Sequence, residues 1–442
     1  MSDDLRMIHQ DPPPLCGRGP AVRIAVLGDD RIGPLSVSSR EQGGLSLSFR
    51  EDSFIVWLRA LAPSILSPDE LVIAVPGAAA ARLAQRVNDV VSREERPDAV
   101  LICAGLEDCA AAIRGVAPDF SETAHALERM ADFFLLNHVK PIFVIPPPSP
   151  LFANGLFAER YIALIATLRR ISACISGVAL IDPIPALLKP QAYGLEPDDR
   201  YATKDGLTSV GAFRLARAVL QSLRELYPTH RVDDRAPDRD CAVLNDNPEL
   251  RMPERAATAG IAGPQPTAYA IDGVGTGGVA ARATPFVSPG SVGVRIALSG
   301  GYATSWGAIR LYQRAPDSAT RQLRCGDLVG AFCDLACPGE AKNISSVSLH
   351  ATLVRAHDFV GLHSAPCPVA EAGSLLRLST PVFAAPDDIQ ALHVSLHILL
   401  SPGVDRDAAG EILVQRMVLS GRRMGAEAGR DQDMSPFARR AA

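Results

Sequence analysis

From Val22 to Tyr227 the chain alternates short continuous apolar runs with stretches whose apolar residues recur three or four positions apart. The runs are VRIAVL (22–27), LVIAV (71–75), AVLICA (99–104), PIFVI (141–145) and VALID (178–182). Between them, ARLAQRVNDVV (81–91) spaces Leu83, Val87, Val90 and Val91 along one helical face. SETAHALERMADFFLLNHV (121–139) does the same with Leu127, Met130, Phe134 and Leu135, with Ser121 as its expected N-cap. Strands apolar on both faces and separated by amphipathic helices predict a parallel sheet covered on either side. Further along, the grammar changes. GSVGVRIALSGG (290–301), WGAIRLYQR (306–314), ISSVSLHATLV (344–354), SLLRLSTPVF (374–383), ALHVSLHILL (391–400) and EILVQRMVLS (411–420) alternate polar and apolar residues between Gly, Pro and Asp turns. That period of two predicts an antiparallel sandwich or jelly roll.

The segments between and around these regions set the expected boundaries. Pro12-Pro13-Pro14 favours polyproline II geometry, so residues 1–21 read as an extended arm. Residues 22–227 form the α/β domain, the charged, proline-bearing stretch 228–258 a linker, 259–424 the β domain and 425–442 a mobile tail. A length of 442 residues accommodates two such domains. The net charge of −5 and the lack of a basic run give no electrostatic footprint for nucleic acid. The polar, acidic start MSDDLRMIHQDPPPL has no apolar core, so no secretory signal is expected, and no apolar run is long enough for a membrane span. Nine cysteines, an odd count spread over unlike halves, suggest mostly reduced thiols in a chain made in the cytoplasm. No cofactor is expected.

In an open parallel sheet, ligands gather beyond the carboxyl ends of the strands. Three runs here end in glycine: Gly28-Asp29-Asp30, Pro76-Gly77-Ala78 and Gly105-Leu106-Glu107-Asp108. KDGLTSVGAFRLARAVLQSL (204–223) starts a late helix. Such glycines admit close approach of a ligand, or simply make the turn. Taken in order, VLGDD, PGAAAARL, AGLED and DGLTSVGAFRLA resemble the four sequence blocks of the SGNH (GDSL) hydrolase family, across about 200 residues. The resemblance implies a flavodoxin-like three-layer α/β fold. Family members cleave esters, often on acylated sugars, with a serine nucleophile, a histidine base, and a glycine and an asparagine that help hold the oxyanion. In this chain Asp30 stands at the nucleophile position, Glu107 at the asparagine and Thr208 at the histidine, while Gly77 and Asp205 remain. Threonine is no base at neutral pH, and Glu107 opposes the negative charge an oxyanion develops. Ser36, Ser38 and Ser39 lie past the strand end, His230 in the expected linker, and His125 and His138 with a helix away from the pocket. The pocket is therefore expected to be degenerate. A different chemistry stays open: Asp30 and Glu107, with Asp29, Asp108 and Asp205, could hold a hard cation or act on glycosides as paired carboxylates.

In the β region His393 and His397 share a strand face, and Cys325, Cys333, Cys337 and Cys367 are near in sequence. Zinc needs four converging ligands, and Cys333-x₃-Cys337 lacks a matching second pair, so no metal is expected. LNDNPEL, a Gly/Ala/Thr-rich stretch and the closing EILVQRMVLS resemble jelly-roll modules of the carbohydrate-binding type. The likeness is to the module that follows SGNH-like domains in some bacteriophage structural proteins. It implies glycan contact through Tyr302, Trp306 and Tyr312, aromatics that can stack on a sugar ring. Two function classes follow. One is a non-catalytic structural or binding protein, a virion-associated tail-fibre or head-decoration component. It would be homo-oligomeric, with virion or surface-assembly proteins and cell-surface glycan as partners. The other is a carbohydrate esterase, deacetylase or carboxylate-based hydrolase with a rearranged site.

Overall fold

The computed structural model describes residues 22–39, 44–63, 72–92, 96–115, 120–189, 197–203, 206–228, 241–251, 266, 268–274, 276, 278–288, 291–300, 306–369, 375–402 and 408–422. The expected arm (1–21) and tail (425–442) lie outside them. Two compact units emerge: Met1–Pro34 with Glu51–Arg235, and Leu35–Arg50 with Ala236–Ala442.

The chain begins with β1 (Ile24–Asp29), β2 (Leu35–Ser39), β3 (Leu45–Phe49) and β4 (Val72–Val75). Next come β5 (Ala99–Cys103), β6 (Lys140–Val144) and β7 (Ala179–Ile181). All five predicted apolar runs are strands of one parallel sheet, ordered β4-β1-β5-β6-β7. Counted among themselves they run 2-1-3-4-5, the flavodoxin-like order. Its helices are α1 (Phe54–Leu61), α2 (Ala80–Ala84), α3 (Val87–Val91), α4 (Leu106–Ile113), α5 (Phe120–Leu136), α6 (Gly155–Cys174) and α7 (Ser209–Leu226). Ala25, Leu27, Val100, Ile102 and Phe143 pack into one core with Leu83, Met130, Phe134 and Leu168. Their strand neighbours Ile24, Val26, Leu101 and Ile142 are equally buried but point to the opposite face, where α1 and α7 meet with Trp57 edge-on to Phe213 at 5.7 Å. The result is three layers. The expected helix 81–91 divides into α2 and α3 at Gln85-Arg86, yet Leu83, Val87, Val90 and Val91 still face one core. Ser121 sits inside the first turn of α5, which starts one residue earlier.

A short hairpin, β8 (Ala202–Thr203) and β9 (Gly206–Leu207), precedes α7. The second unit then contributes β10 (Cys241–Val243), β11 (Ala270–Val274), β12 (Ala280–Ser288), β13 (Ser291–Ser299), β14 (Gly307–Arg314), α8 (Asp317–Gln322) and β15 (Leu328–Ala336). It continues with β16 (Ile344–Val354), β17 (Phe359–His363), β18 (Cys367–Pro368), β19 (Leu376–Ser379), β20 (Phe383–Ala384), β21 (Ala391–Leu400) and β22 (Gly410–Arg422). One sheet contains β13-β22-β15-β19 and the other β14-β21-β16-β17. Taken in chain order as strands one to eight, these lie as 1-8-3-6 and 2-7-4-5, the jelly-roll connectivity. Alternate residues such as Ile296, Cys333 and Val414 on one sheet and Leu311, Leu349 and Leu396 on the other are fully buried between them.

Two features depart from the expected boundaries. The hairpin β2–β3, inside the stretch 22–227, belongs to the jelly-roll unit: β3 pairs in parallel with β17, Ser48 opposite His363. The stretch 228–258, expected as linker, carries β10, paired with β22, and then the buried Asn245. Asn245 Nδ2 donates to Tyr269 Oη at 3.0 Å and to the Met417 carbonyl at 3.0 Å, and its Oδ1 accepts from the Leu419 amide at 2.7 Å. Truncating it strands several buried polar groups. Asn245→Ala should therefore cost about 2–3 kcal/mol, read as a lower urea midpoint with an unchanged slope.

Candidate functional site

β1 ends in Gly28-Asp29 and passes into a single tight turn, Asp30–Ile32. A Cβ on Gly28 would stand 2.7 Å from the Cys103 carbonyl, so only glycine lets β1 and β5 approach there. Asp29 is 5% exposed. Its Oδ1 accepts the Arg31 amide at 3.0 Å and Arg31 Nε at 3.2 Å, and its Oδ2 lies 3.1 Å from Arg31 Nη2. The same Nη2 donates to Glu107 Oε1 at 2.8 Å, and Arg114 Nη2 reaches Glu107 Oε2 at 3.4 Å. An alternating row of charges, Asp29–Arg31–Glu107–Arg114, thus crosses from the end of β1 to the first turn and the C-cap of α4. Glu107 is well placed in that first turn, where the helix dipole favours a carboxylate. Gly105 makes the turn before it at φ +97°, against the side chain of Leu164.

The other residues singled out from the sequence have structural duties or lie apart. Asp108 is buried and accepts the Ala80 amide at 2.9 Å and the Thr123 hydroxyl at 2.7 Å, joining α2, α4 and α5. Thr208 is the N-cap of α7: its hydroxyl accepts from the Gly211 amide at 3.0 Å and donates to the Arg200 carbonyl at 2.6 Å. Gly77 occupies an exposed turn at φ +58°. The Asp30 side chain and all of Asp205 lie outside the described residues, as does His230. Ser36 and Ser38 are on β2 of the other unit, and His125 and His138 are exposed on and just after α5.

A mostly apolar pocket does open at this end of the sheet. Ile32, Phe54, Leu106, Val144 and Leu207 line it, with Asp29, Arg31, Asp52 and Ser149 supplying polar groups. Gly77, Glu107 and Thr208 do not line it, and neither does any histidine among the described residues. Sequence reasoning missed Arg31, although it directly follows Asp29-Asp30, and missed Ser149 in the Pro-rich turn after β6. Ser149 Oγ accepts from the Leu151 amide at 3.3 Å as a turn cap. At the pocket wall, burial and then the charge of Asp29 push the Cys103 thiol far above its ordinary range, leaving it protonated and inert.

The jelly-roll unit presents a second arrangement. On β14, alternation buries Ile309, Leu311 and Gln313 and turns Arg310, Tyr312 and Arg314 outward. Trp306, just before this strand, is 69% exposed and Tyr312 is 38% exposed; Tyr302 lies outside the described residues. Cross-strand register places Arg310 beside Asp272 of β11 and His397 of β21. Arg310 holds Asp272 with two bonds of 2.8 Å. His397 stacks on His350 of β16, with centroids 3.9 Å apart and planes 7° from parallel, and His350 Nδ1 is 2.7 Å from His363 Nδ1. Ser348 Oγ and Ser395 Oγ bond the Nε2 atoms of His350 and His397 at 2.8 and 2.9 Å. Among the described residues no cluster of three or more His, Cys, Asp or Glu is arranged to hold a metal ion. The described cysteines are free thiols, with Cys333, Cys337 and Cys367 buried and Cys325 exposed.

Burial, then Arg310 and His363, depress the His397 pKa to about 4. Its unfolded value is near 6.5, so as pH falls the unfolded chain takes up the proton first. The stability from neutral His397 is full above pH 6.5 and is lost progressively down to about 4. Urea midpoints of the jelly-roll transition measured across this window should fall with acid, and His397→Gln should flatten the slope. At the other site, Arg31→Ala removes the cation from two carboxylates. Because Arg31 is about a third exposed, the cost should be near 1–2 kcal/mol rather than the larger figure for a fully buried pair. Arg31→Lys, lacking the planar fork, should recover only part of the lost melting temperature.

No family model and no curated protein matches the chain. Among solved structures it is similar to a catalytic mutant of an acetylxylan esterase from Geobacillus stearothermophilus, at 16% identity over 46% of this chain and 95% of that one, with a TM-score of 0.35. It is similar to a GDSL-like lipase from Bacteroides thetaiotaomicron VPI-5482 at 15% identity over 51% and 98%, TM-score 0.32. A structure of carbohydrate-binding modules from the β-sandwich superfamily matches at 9% identity over 40% and 62%, TM-score 0.26.

Proposed function

We propose that this chain is a non-catalytic structural or binding protein, in which an SGNH-like α/β scaffold without hydrolase chemistry is joined to a jelly roll that contacts glycans. The observation that carries this reading is the saturation of Arg31 by Asp29 and Glu107. Acyl transfer needs an activated nucleophile and donors aimed at a developing oxyanion. A free guanidinium at a strand end could serve as such a donor. Here its charge is already answered by two carboxylates. Thr208, in the histidine position, spends its hydroxyl on the α7 cap and the Arg200 carbonyl. The paired-carboxylate alternative is weakened by the same network, since Glu107 lies between two arginines and Asp108 is committed to Ala80 and Thr123.

The exposed Trp306 and Tyr312, beside a hydroxyl- and imidazole-rich sheet face, support the glycan half of the reading. Two modules that present surface rather than chemistry suit a projecting part of a virion, a tail fibre or head decoration, in several copies. That placement follows the likeness of LNDNPEL and the strands after it to phage modules.

Purified protein should not turn over acetyl or butyryl aryl esters above a buffer blank, and should not react with a fluorophosphonate probe. Turnover abolished by Asp30→Ala would overturn the non-catalytic reading and make Asp30 an acidic nucleophile. Immunogold labelling of intact particles checks the structural half, which fails if the label stays with free protein.

A further inference from the structure

The main path of one jelly-roll sheet runs β11-β14-β21-β16-β17-β3-β2, so β2 is its last strand. Among the described residues β2 pairs on one side alone, with β3. Leu35, Ser36, Val37 and Ser38 are all exposed, so both faces of the strand are open, with Leu35 at 46% and Val37 at 44%. A bare strand edge offers a row of backbone donors and acceptors that another chain can take up. We infer that a second copy of this chain docks there, the two β2 strands pairing antiparallel about a two-fold axis through Val37. The inference goes beyond the reading above and depends on neither its glycan half nor its virion half.

The other edges of the two sheets carry features that oppose such pairing. β12 has the exposed Arg282 and the exposed Pro285, whose nitrogen has no hydrogen to donate. β11 carries Asp272 and then Gly273, a charge followed by a poor strand former. β19 is four residues long and its first three are buried. These are the ordinary means by which a sheet keeps its edge from another chain. Between Leu35 and Ser39, β2 has no charged residue and no proline. Its edge is undefended.

What fits this edge follows from its own sequence. With Val37 on the axis, Ser36 of one copy stands opposite Ser38 of the other, and Val37 stands opposite Val37. The hairpin already joins partners of the same kind: Ser36 opposite Ser48, Val37 opposite Leu47 and Ser38 opposite Ser46. A second β2 therefore repeats on the open side what β3 presents on the closed side, hydroxyl to hydroxyl on one face and apolar to apolar on the other. A two-fold contact brings each residue against its own surface, so a charge on the axis would repel its copy. β2 has none. By register Leu35 and Val37 share a face with Phe49 and Leu47, and pairing removes part of their exposed apolar area from water. A partner of unlike sequence finds no charge here to recognise. The edge selects by alternation, and β2 itself supplies that alternation in phase. One five-residue strand pair is a small contact, so the dimer belongs to the weak class of interfaces.

Sedimentation velocity of the full-length chain, from about 1 to about 200 µM, should show a monomer–dimer equilibrium with a Kd on the order of 10 µM. Val37→Lys sets two like charges face to face and should raise that Kd about tenfold or more. Its far-UV circular dichroism should match the parent's, because Val37 is exposed in the single chain. Mild copper oxidation gives a second readout. Val37→Cys should join to its own copy by a disulfide, since the two Cα atoms lie about 5 Å apart across the axis. Leu35→Cys stands about 14 Å from its copy in this register and should not. The parent, with its exposed Cys174 and Cys325, sets the background. A parent that stays monomeric at the highest concentration overturns the inference. So does a dimer that Val37→Lys leaves intact, or equal cross-linking through positions 35 and 37. If Val37→Lys does not fold, the contrast between the two cysteine variants decides. A chain lacking residues 1–21 that dimerises where the parent does not makes those residues the occupant of the edge, and overturns the second copy.

Discussion

A carboxylate taken out of water needs hydrogen-bond donors or a cation within reach, and Asp29 sets that requirement at the heart of the α/β unit. It ends a strand buried along its whole length, at 5% exposure. Its partner comes from the same turn: Arg31 folds back so that both its amide and its guanidinium meet the carboxylate. Once there, the guanidinium has donors to spare, and Glu107 at the start of α4 takes one of them. The end of β1 and the first turn of α4 are thereby fixed to each other by charge as well as by packing. The pocket wall that Arg31 and Leu106 share follows from this arrangement.

The jelly-roll unit solves its polar problems with different materials. Asn245 pins the segment before the sandwich to β22 through donors and acceptors that are all buried. Asp334 and Arg377, paired across β15 and β19 at 2.7 and 2.8 Å, place a salt bridge on a buried part of the same sheet. Both arrangements fix register, since a slip of one residue would carry each member to the opposite face. The serine–imidazole bonds of the outer face are of another kind. A hydroxyl can exchange donor and acceptor roles by rotating, so these bonds tolerate a change of protonation that an amide–carbonyl pair would not.

The sequence made the parallel sheet legible because strands buried on both faces leave continuous apolar runs that no surface segment imitates. It also made the alternating strands of the sandwich legible, for the converse reason. The hairpin β2–β3 escaped notice even though SVSS and LSLSF alternate cleanly, because its partner β17 lies more than 300 residues away in the chain, Ser48 opposite His363. Local pattern carries no information about such pairing. The break between α2 and α3 costs little, since both pieces keep their apolar residues on one core, and periodicity alone does not mark it. At the candidate site, the positions of Asp30, Glu107 and Thr208 were readable by order, but Arg31 was not. Its role depends on which carboxylates the fold brings to it. Likewise the His393–His397 spacing is visible in the sequence, whereas the contact of His397 with His350 depends on the register of β16 against β21.

The two arrangements differ in how their polar groups are committed. At the α/β pocket Asp29 and Arg31 of the wall are already paired, Arg31 also with Glu107 beyond it, and much of the remaining wall is apolar. A ligand there would have to bring its own neutral, apolar shape, because a charged group would compete with a pair that is already formed. On the jelly-roll face, aromatic surface is open and the hydrogen-bonding partners are rotatable hydroxyls and titratable rings. Such groups can re-pair with a sugar's hydroxyls or an acid's oxygens without leaving a buried group unsatisfied. The two sites thus differ in kind: one holds its charges in fixed pairs, the other presents aromatic surface beside hydroxyls and imidazoles.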